Sequence, residues 1–383
     1  MFPKSQWPNY SDDLLLKINK IYKSGKTNYL IGNNGVLFEK KFSDFFNFKF
    51  ANAVSNASIG LELSLLSFNF NQGDEIIVTP RSYFSSVSCV ERVGLKPIFA
   101  DIDLKTMNIC PKSIENKITK NTKAIICVHL YGMPCDMKKI KQLSKKYNLK
   151  IIEDCSQAHG SMIGDKYVGT FGDIAVYSFC QDKIISTGGE GGMIATNSKS
   201  IYDKIWTLKD IGKNRNKYQK IDKKYNSFPY VHDYIGTNAR LTEVQSCIGL
   251  YQLNRLKEFI KKRNQNAKTY FNQLNDCKYL ILPEFKNEIT HSFYRYTVII
   301  NCKSLSRSLL MNNLKRKKIN CTVGGCPTIY KENYFKKKYK NINLKNAEYL
   351  ADKTISFLVD HTITKKDIVH TCDVLKKEIN NLI

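Results

Sequence analysis

Three stretches of this chain carry side chains whose chemistries complement one another. In residues 173–197 (DIAVYSFCQDKIISTGGEGGMIATN) an apolar run ends at Phe179, Lys183 follows, and Gly188, Gly189, Gly191 and Gly192 surround Glu190. A lysine in so basic a chain is ordinarily a surface residue. This one is singled out by its apolar neighbours and by glycines that let backbone approach a flat ligand closely. The second stretch is EDCSQAHG from Glu153, where Asp154 closes an apolar run. It reads either as a carboxylate facing a crevice or as the cap of the next helix. The third is SNASIG from Ser55, small residues that turn a strand into a helix. That turn is either an ordinary N-cap or a phosphate seat built from free N–H groups and the helix dipole. A Schiff-base lysine, a carboxylate that keeps a pyridine nitrogen protonated and a helix N-terminus for a phosphate are together what pyridoxal phosphate (PLP) requires. Spacing permits that combination and leaves the alternatives for each part open. Gly25, Lys26 and Thr27 imitate the end of a P-loop, but Lys20 stands where the loop's first glycine belongs and no strand precedes it, which argues against the motif.

Bringing the three stretches together requires strand ends set side by side. From about Phe50 to Asn197 strand-like and helix-like segments alternate, the pattern of a parallel sheet with helical crossovers. Strands are expected at 51–55, 75–78, 97–101, 123–130, 149–154, 173–179 and 193–196, with helices at 57–68, around Ser86 and at 137–147. Thr242 and Gln245 at capping-box spacing predict a helix to about Lys261. After it come an expected strand at 293–300, a helix at 304–317, a strand at 319–323 and a helical last forty residues. The whole predicts an α/β fold. A large domain, 1–255, holds a mostly parallel sheet flanked by helices, and a smaller C-terminal α+β domain spans 256–383. Segment 1–45 is free to pack with the small domain. Residues 213–232 are polar, aromatic and unpatterned, a long loop of the kind that is functional or disordered.

Bulk properties narrow the function classes. A chain of 383 residues suits two domains, and 42% hydrophobic with 25% charged residues is the balance of a globular protein. No apolar run is long enough to span a bilayer, and the first residues lack the h-region of a signal peptide, so a cytoplasmic protein without a membrane partner is expected. The twelve cysteines are scattered, with no Cys-x-x-Cys and no histidine at zinc spacing from Cys321 and Cys326, which predicts reduced thiols and no metal. The net charge of +26 raises nucleic-acid binding as a possibility. The excess is mostly dispersed lysine, with short runs at 315–318 and 336–338 and no recognition motif, so a solvated surface biased toward anionic small substrates is expected instead.

The chain resembles the DegT/DnrJ/StrS-type sugar aminotransferases, PLP-dependent enzymes of fold type I, nearly end to end. The resemblance is carried by SNASIGLELSL from Ser55, GDEIIVTPRSY from Gly73, EDCSQAHGS from Glu153, YSFCQDKIISTGGEGGM from Tyr177 and IGTNARLTEVQSCIGLYQL from Ile235. It implies that Lys183 forms the internal aldimine and then shuttles a proton between substrate and cofactor carbons. It implies that Asp154 pairs with the pyridinium nitrogen, Gln157 contacts the ring hydroxyl, and Tyr83 stacks on the ring, with Phe84 the rival one residue on. Ala57, Ser58 and Ser178 are implied to hold the phosphate. Asn238 is implied to reach the phosphate of the other subunit, which implies a homodimer with shared active sites. The sequence departs from the family at Ala57-Ser58, where Gly-Thr is usual, and at Ile211, where relatives often carry histidine. Relatives with histidine in place of the lysine act as dehydratases, so Lys183 argues for amino transfer.

What the resemblance implies is a two-step aminotransferase. An amino acid, glutamate by expectation, loads the cofactor, and a nucleotide-linked keto-hexose then accepts the amino group. The segment CTVGGCPTIYKENYF from Cys321 is similar to a branch associated with surface-polysaccharide sugars. Two rivals are a sugar dehydratase of the same fold and a catalytically idle basic scaffold.

Overall fold

The computed structural model describes residues 5–219 and 230–383. Seven strands form the main sheet: β1 (Phe50–Val54), β2 (Glu75–Val78), β3 (Lys96–Phe99), β4 (Thr122–Val128), β5 (Lys150–Asp154), β6 (Ile174–Ser178) and β7 (Gly192–Thr196). Their order across the sheet is β1-β7-β6-β5-β4-β2-β3. The pairs among β2 to β6 are parallel, and β7 runs antiparallel to both β6 and β1. These strands are short apolar runs because both faces are covered, as parallel sheets require. Ile76, Ile126, Ile152, Val176 and Ile194 point to one side, under the helices Ala57–Ser67, Ser85–Arg92 and Lys199–Lys209. Ile77, Ile125 and Ile151 point to the other, under Met137–Tyr147, while Tyr177 and Met193 meet the aromatic stripe Phe38, Phe42 and Phe46 of helix Asn34–Phe46.

The smaller layer is an antiparallel sheet of Leu280–Ile281, Tyr296–Ile300, Thr354–Phe357 and Cys321–Thr322, in that spatial order. Its core combines Tyr296, Val298 and Ile300 with Leu310, Leu314, Ile368 and Leu375 from two helices. The large α/β unit and the smaller α+β unit therefore agree with the expected fold class. Several local expectations need correction. The last forty residues are not all helical: Thr354–Phe357 is an inner strand with all four residues buried, and the helix Lys365–Leu382 begins after it. The capping box at Thr242 is present, but its helix runs through to Leu274 rather than ending near Lys261. The strand expected from residue 293 starts at Tyr296, because Phe293 has a left-handed backbone (φ 47°). Arg215–Gln219 is a short helix, and residues 220–229 of the expected long loop lie outside the described residues. Within 1–45, Trp7 packs edge-on against Phe259 and His361 and Gln6 N–H donates to Thr362 (3.0 Å), whereas Phe38 and Phe42 pack on the main sheet. Among the described residues no helix is long and apolar enough to cross a membrane.

A buried ion pair fastens three elements behind the sheet. Lys209 Nζ lies 2.7 Å from Glu39 Oε1 and 3.0 Å from the Ala53 carbonyl. Glu39 also accepts from Ala53 N–H (2.7 Å) and the Tyr29 hydroxyl. Burial lowers the Lys209 pKa and the Glu39 charge opposes that, so removing either partner strands the other. Lys209→Met is expected to lower unfolding stability by about 3–5 kcal/mol in urea titrations; an unchanged midpoint would show the pair to be dispensable.

Two buried histidines make stability pH-dependent. His159 lies between the rings of Tyr177 and Phe179, and burial first, then the Lys183 and Arg263 charges, push its pKa down to about 3. Burial alone brings His291 to about 3. The unfolded chain takes up both protons near the ordinary value of 6.5, while the folded protein refuses them until about 3. Stability is therefore expected to fall with pH between those limits, by about 1.4 kcal/mol per pH unit for each histidine. Urea midpoints measured from about pH 6.5 down to about pH 4.5 should show the loss, and His159→Phe should remove one histidine's share of the slope.

Candidate active site

The strands β4, β5 and β6 end at Val128, Asp154 and Ser178, and a cavity of about 570 Å³ opens beyond those ends. This is where ligands bind in open α/β sheets. Ala57, Ser58, Tyr83, Asp154, Gln157, Ser178 and Lys183 all line it. Asn238 is not among the lining residues; it is exposed, with its backbone bridged to Asp210. Another cavity, about 560 Å³, sits among Asp103, Lys105, Lys112 and Lys139, but its walls hold none of the complementary groups singled out above.

The helix Ala57–Ser67 starts at the cavity wall. Asn56 caps it, its Oδ1 accepting from Ile59 N–H at 2.9 Å, and the first turn presents backbone N–H groups that an α-helix leaves without internal partners. Strand β7 approaches this turn so closely that a Cβ at Gly192 would sit 2.7–2.9 Å from the backbone of Asn56 and Ala57. Only glycine permits that approach, and it draws the glycine-rich segment and the helix turn into one cradle. Ser178, at the end of β6, is buried, with its Oγ accepting from Cys180 N–H at 3.3 Å.

Asp154 is 4% exposed. Its Oδ2 accepts from Ser86 Oγ at 2.8 Å and its Oδ1 from Ser156 N–H at 3.1 Å, and Ser86 is in turn 2.8 Å from Ser82 Oγ. The carboxylate faces the crevice and does not cap a helix. Gln157 Oε1 accepts from Tyr131 N–H at 2.8 Å, which fixes the direction of its amide. Tyr83 stands in the cavity wall and is 67% exposed, whereas Phe84 turns away to pack on Phe335 (ring centroids 5.4 Å). Lys183 is held at its backbone from both sides: its N–H donates to Cys180 O (3.0 Å) and its carbonyl accepts from Trp7 Nε1 (2.8 Å). Its Nζ lies 3.6 Å from Asp182 Oδ1. Burial pushes the amine's pKa down, but Tyr294 and Asp182 outweigh it, so the net shift is upward.

Glu153, the neighbour of Asp154, points the other way. It accepts from His129 Nε2 (3.0 Å) and from the backbone N–H groups of Gly169 (2.7 Å), Phe171 (2.8 Å) and Gly172 (2.5 Å). His129 Nδ1 accepts from Cys135 N–H at 3.0 Å, so the proton that Glu153 receives is on Nε2. His129, Glu153 and Cys155 are close enough to gather a metal. The histidine and carboxylate are already committed to hydrogen bonds, however, and burial pushes the Cys155 thiol's pKa up, which keeps it protonated.

Sequence reasoning passed over Ser86, Asp182 and Tyr294. Ser82 and Ser86 stand four residues apart at a helix start, which is a readable signal for one helix face. Nothing local marked Tyr294, which arrives from the smaller unit.

The residues present fit PLP: a partly buried cation, a buried carboxylate held by two donors, and a helix turn closed on by a glycine strand all meet at one cavity. Comparison with known proteins agrees. The model of the DegT/DnrJ/EryC1/StrS aminotransferase family matches residues 9–376. The GDP-perosamine synthase of Escherichia coli O157:H7 is 35% identical over 353 residues, covering 90% of this chain and 92% of that protein. An aminotransferase structure from Psychrobacter cryohalolentis superposes with a TM-score of 0.95 at 34% identity, covering 99% of both chains. An E. coli GDP-4-keto-6-deoxy-D-mannose-3-dehydratase with bound hydrated PLP gives 0.86 at 27% identity, covering 97% of this chain and 98% of that one. The chain belongs to the DegT/DnrJ/EryC1/StrS aminotransferase family and is a PLP-dependent aminotransferase.

Proposed function

We propose that the enzyme moves the amino group of an amino acid, glutamate, onto a nucleotide-linked keto-hexose, making an amino sugar for a polysaccharide or other glycan. The observation that carries this reading is the meeting of Lys183, Asp154 and the Ala57-Ser58 turn in one cavity. The similarity to a GDP-perosamine synthase supports a sugar nucleotide as acceptor. When bound, PLP supplies an electron sink. Lys183 would hold the cofactor and then carry the proton between substrate and cofactor carbons. Asp154, fixed by Ser86, would keep the pyridine nitrogen protonated. Gln157 would meet the ring hydroxyl, Tyr83 would cover the ring, and Ala57, Ser58 and Ser178 would take the phosphate. The lysine at 183 favours transfer over dehydration.

The same reading makes the enzyme a homodimer. Asn238 lies outside its own cavity, in an exposed surface that includes Ile235 (100% exposed), Tyr234, Val231 and Ile211. Such a patch calls for a partner, and a second copy would bring Asn238 to the other phosphate. The twelve free cysteines suit a reducing compartment, and we place the enzyme in the cytoplasm.

Incubation with glutamate and a panel of keto-hexose nucleotides is expected to yield 2-oxoglutarate and an amino sugar by mass spectrometry. Lys183→Ala should reduce turnover by more than about a thousandfold. A Lys183→Ala protein that still consumes donor would overturn the assignment. Shared sites make a second prediction. Mixing inactive Lys183→Ala with weakened Asn238→Ala subunits under exchange conditions should restore up to about a quarter of wild-type activity, because each mixed dimer holds one intact site. No gain over the separate variants would place Asn238 outside the partner's site.

A further inference from the structure

A charged cluster beside Lys183 is used by nothing described so far. Asp182 is the residue before the lysine, and its two oxygens face different groups. Oδ1 is 3.6 Å from Lys183 Nζ, while Oδ2 accepts from the Tyr294 hydroxyl and lies 3.6 Å from Arg295 Nη2. The lysine amine also lies 4.8 Å from the centroid of the Tyr294 ring. Asp182 and Tyr294 both line the cavity.

The placement is fixed from outside the lysine loop. Tyr294 and Arg295 precede the strand Tyr296–Ile300 of the smaller sheet, at the end of a segment turned by the left-handed Phe293. Tyr294 N–H donates to the Tyr131 carbonyl at 2.8 Å, and Arg263 NH1 donates to the Phe293 carbonyl at 2.9 Å. The backbone on both sides of the phenol is thereby pinned, and the phenol in turn orients the carboxylate.

We propose that Asp182, oriented by Tyr294, is the counter-charge that keeps the Lys183 nitrogen protonated. This rests on the reading of Lys183 as the cofactor-bearing lysine. An opposite charge within about 4–6 Å favours the charged form of its neighbour, and the shifts agree in sign: against burial, Lys183 first and then Tyr294 and Arg295 lower the Asp182 carboxyl, and Tyr294 first and then Asp182 raise the Lys183 amine. The other groups facing the amine do not substitute for Asp182. His159 is held neutral, and Arg295 is a like charge that Asp182 also offsets. Burial and Glu190 push the Cys180 thiol's pKa up and keep it uncharged. Asp154 is held by Ser86 and Ser156 rather than by the amine, and in the reading above its charge faces the pyridine nitrogen. Without the Asp182 charge, Lys183 would lose the carboxylate that lies 3.6 Å from its amine.

The test is the pH dependence of the visible absorption of PLP-loaded protein, whose band reports the protonation of the lysine nitrogen. In Asp182→Asn the midpoint should fall by about one pH unit or more, a tenfold loss of proton affinity. Asp182→Ser, a second neutral variant, should shift the same way if the asparagine protein folds or loads poorly, and Asp182→Glu should return the midpoint toward wild type. A midpoint that ignores both neutral substitutions, or one that moves equally in the glutamate variant, overturns the proposal. Wild-type protein that develops no visible band on adding PLP would instead sink the reading of Lys183 itself.

Discussion

The cavity depends on the last two residues of β5. A strand turns successive side chains to opposite faces, so Glu153 and Asp154, both carboxylates, meet different surroundings. Glu153 is fully buried and gathers four N–H donors from His129 and the loop at 169–172. Charge-assisted bonds of this kind are worth about 1.5–3 kcal/mol each. They lock the strand's end and leave the adjacent residue one direction in which to point. Asp154 therefore reaches the cavity already aimed, and Ser86 and Ser156 hold it there. One carboxylate acts on structure so that the next is available for chemistry.

The parts of the site that the sequence made readable are those where a short motif sits at a strand end. Asp154, Lys183 and the Ala57-Ser58 turn belong to that class, as do Gln157 and Ser178, and all line one cavity. The parallel strands were readable because burial on both faces leaves continuous apolar runs. What escaped depends on contacts between distant segments. Tyr294 is 112 residues from Asp182, and the Phe293 backbone that places it follows no periodic pattern. The strand Thr354–Phe357 was masked by polar, helix-compatible residues on both sides, and its buried position between two partner strands is a tertiary fact. The long helix was cut short in expectation because periodicity does not say how far a well-capped helix continues once both units pack on it.

The large positive charge divides into two populations. Most lysines are dispersed along the chain, and exposed pairs such as Lys146 with Glu115 or Lys40 with Asp44 contribute little to stability. A few cations are buried, and each has a specific partner. Lys209 has Glu39 and Arg263 has the carbonyls around Phe293, while the half-buried Lys183 has Asp182. The surface population acts through its field on anionic solutes, whereas the buried one is a set of positioned groups whose loss is felt locally.

Trp7 has a consequence for the order of events during folding. Its indole donates to the carbonyl of Lys183 and its ring rests on Phe259 and His361, while Ser5 meets Thr362 across 357 positions of chain. The seat of Trp7 thus joins segments that lie far apart along the chain. Local pairings of the large sheet can form early, but closure between such remote segments comes late. A folding chain can hold the local pairings of the large sheet before the contact that fixes the backbone of Lys183 has formed.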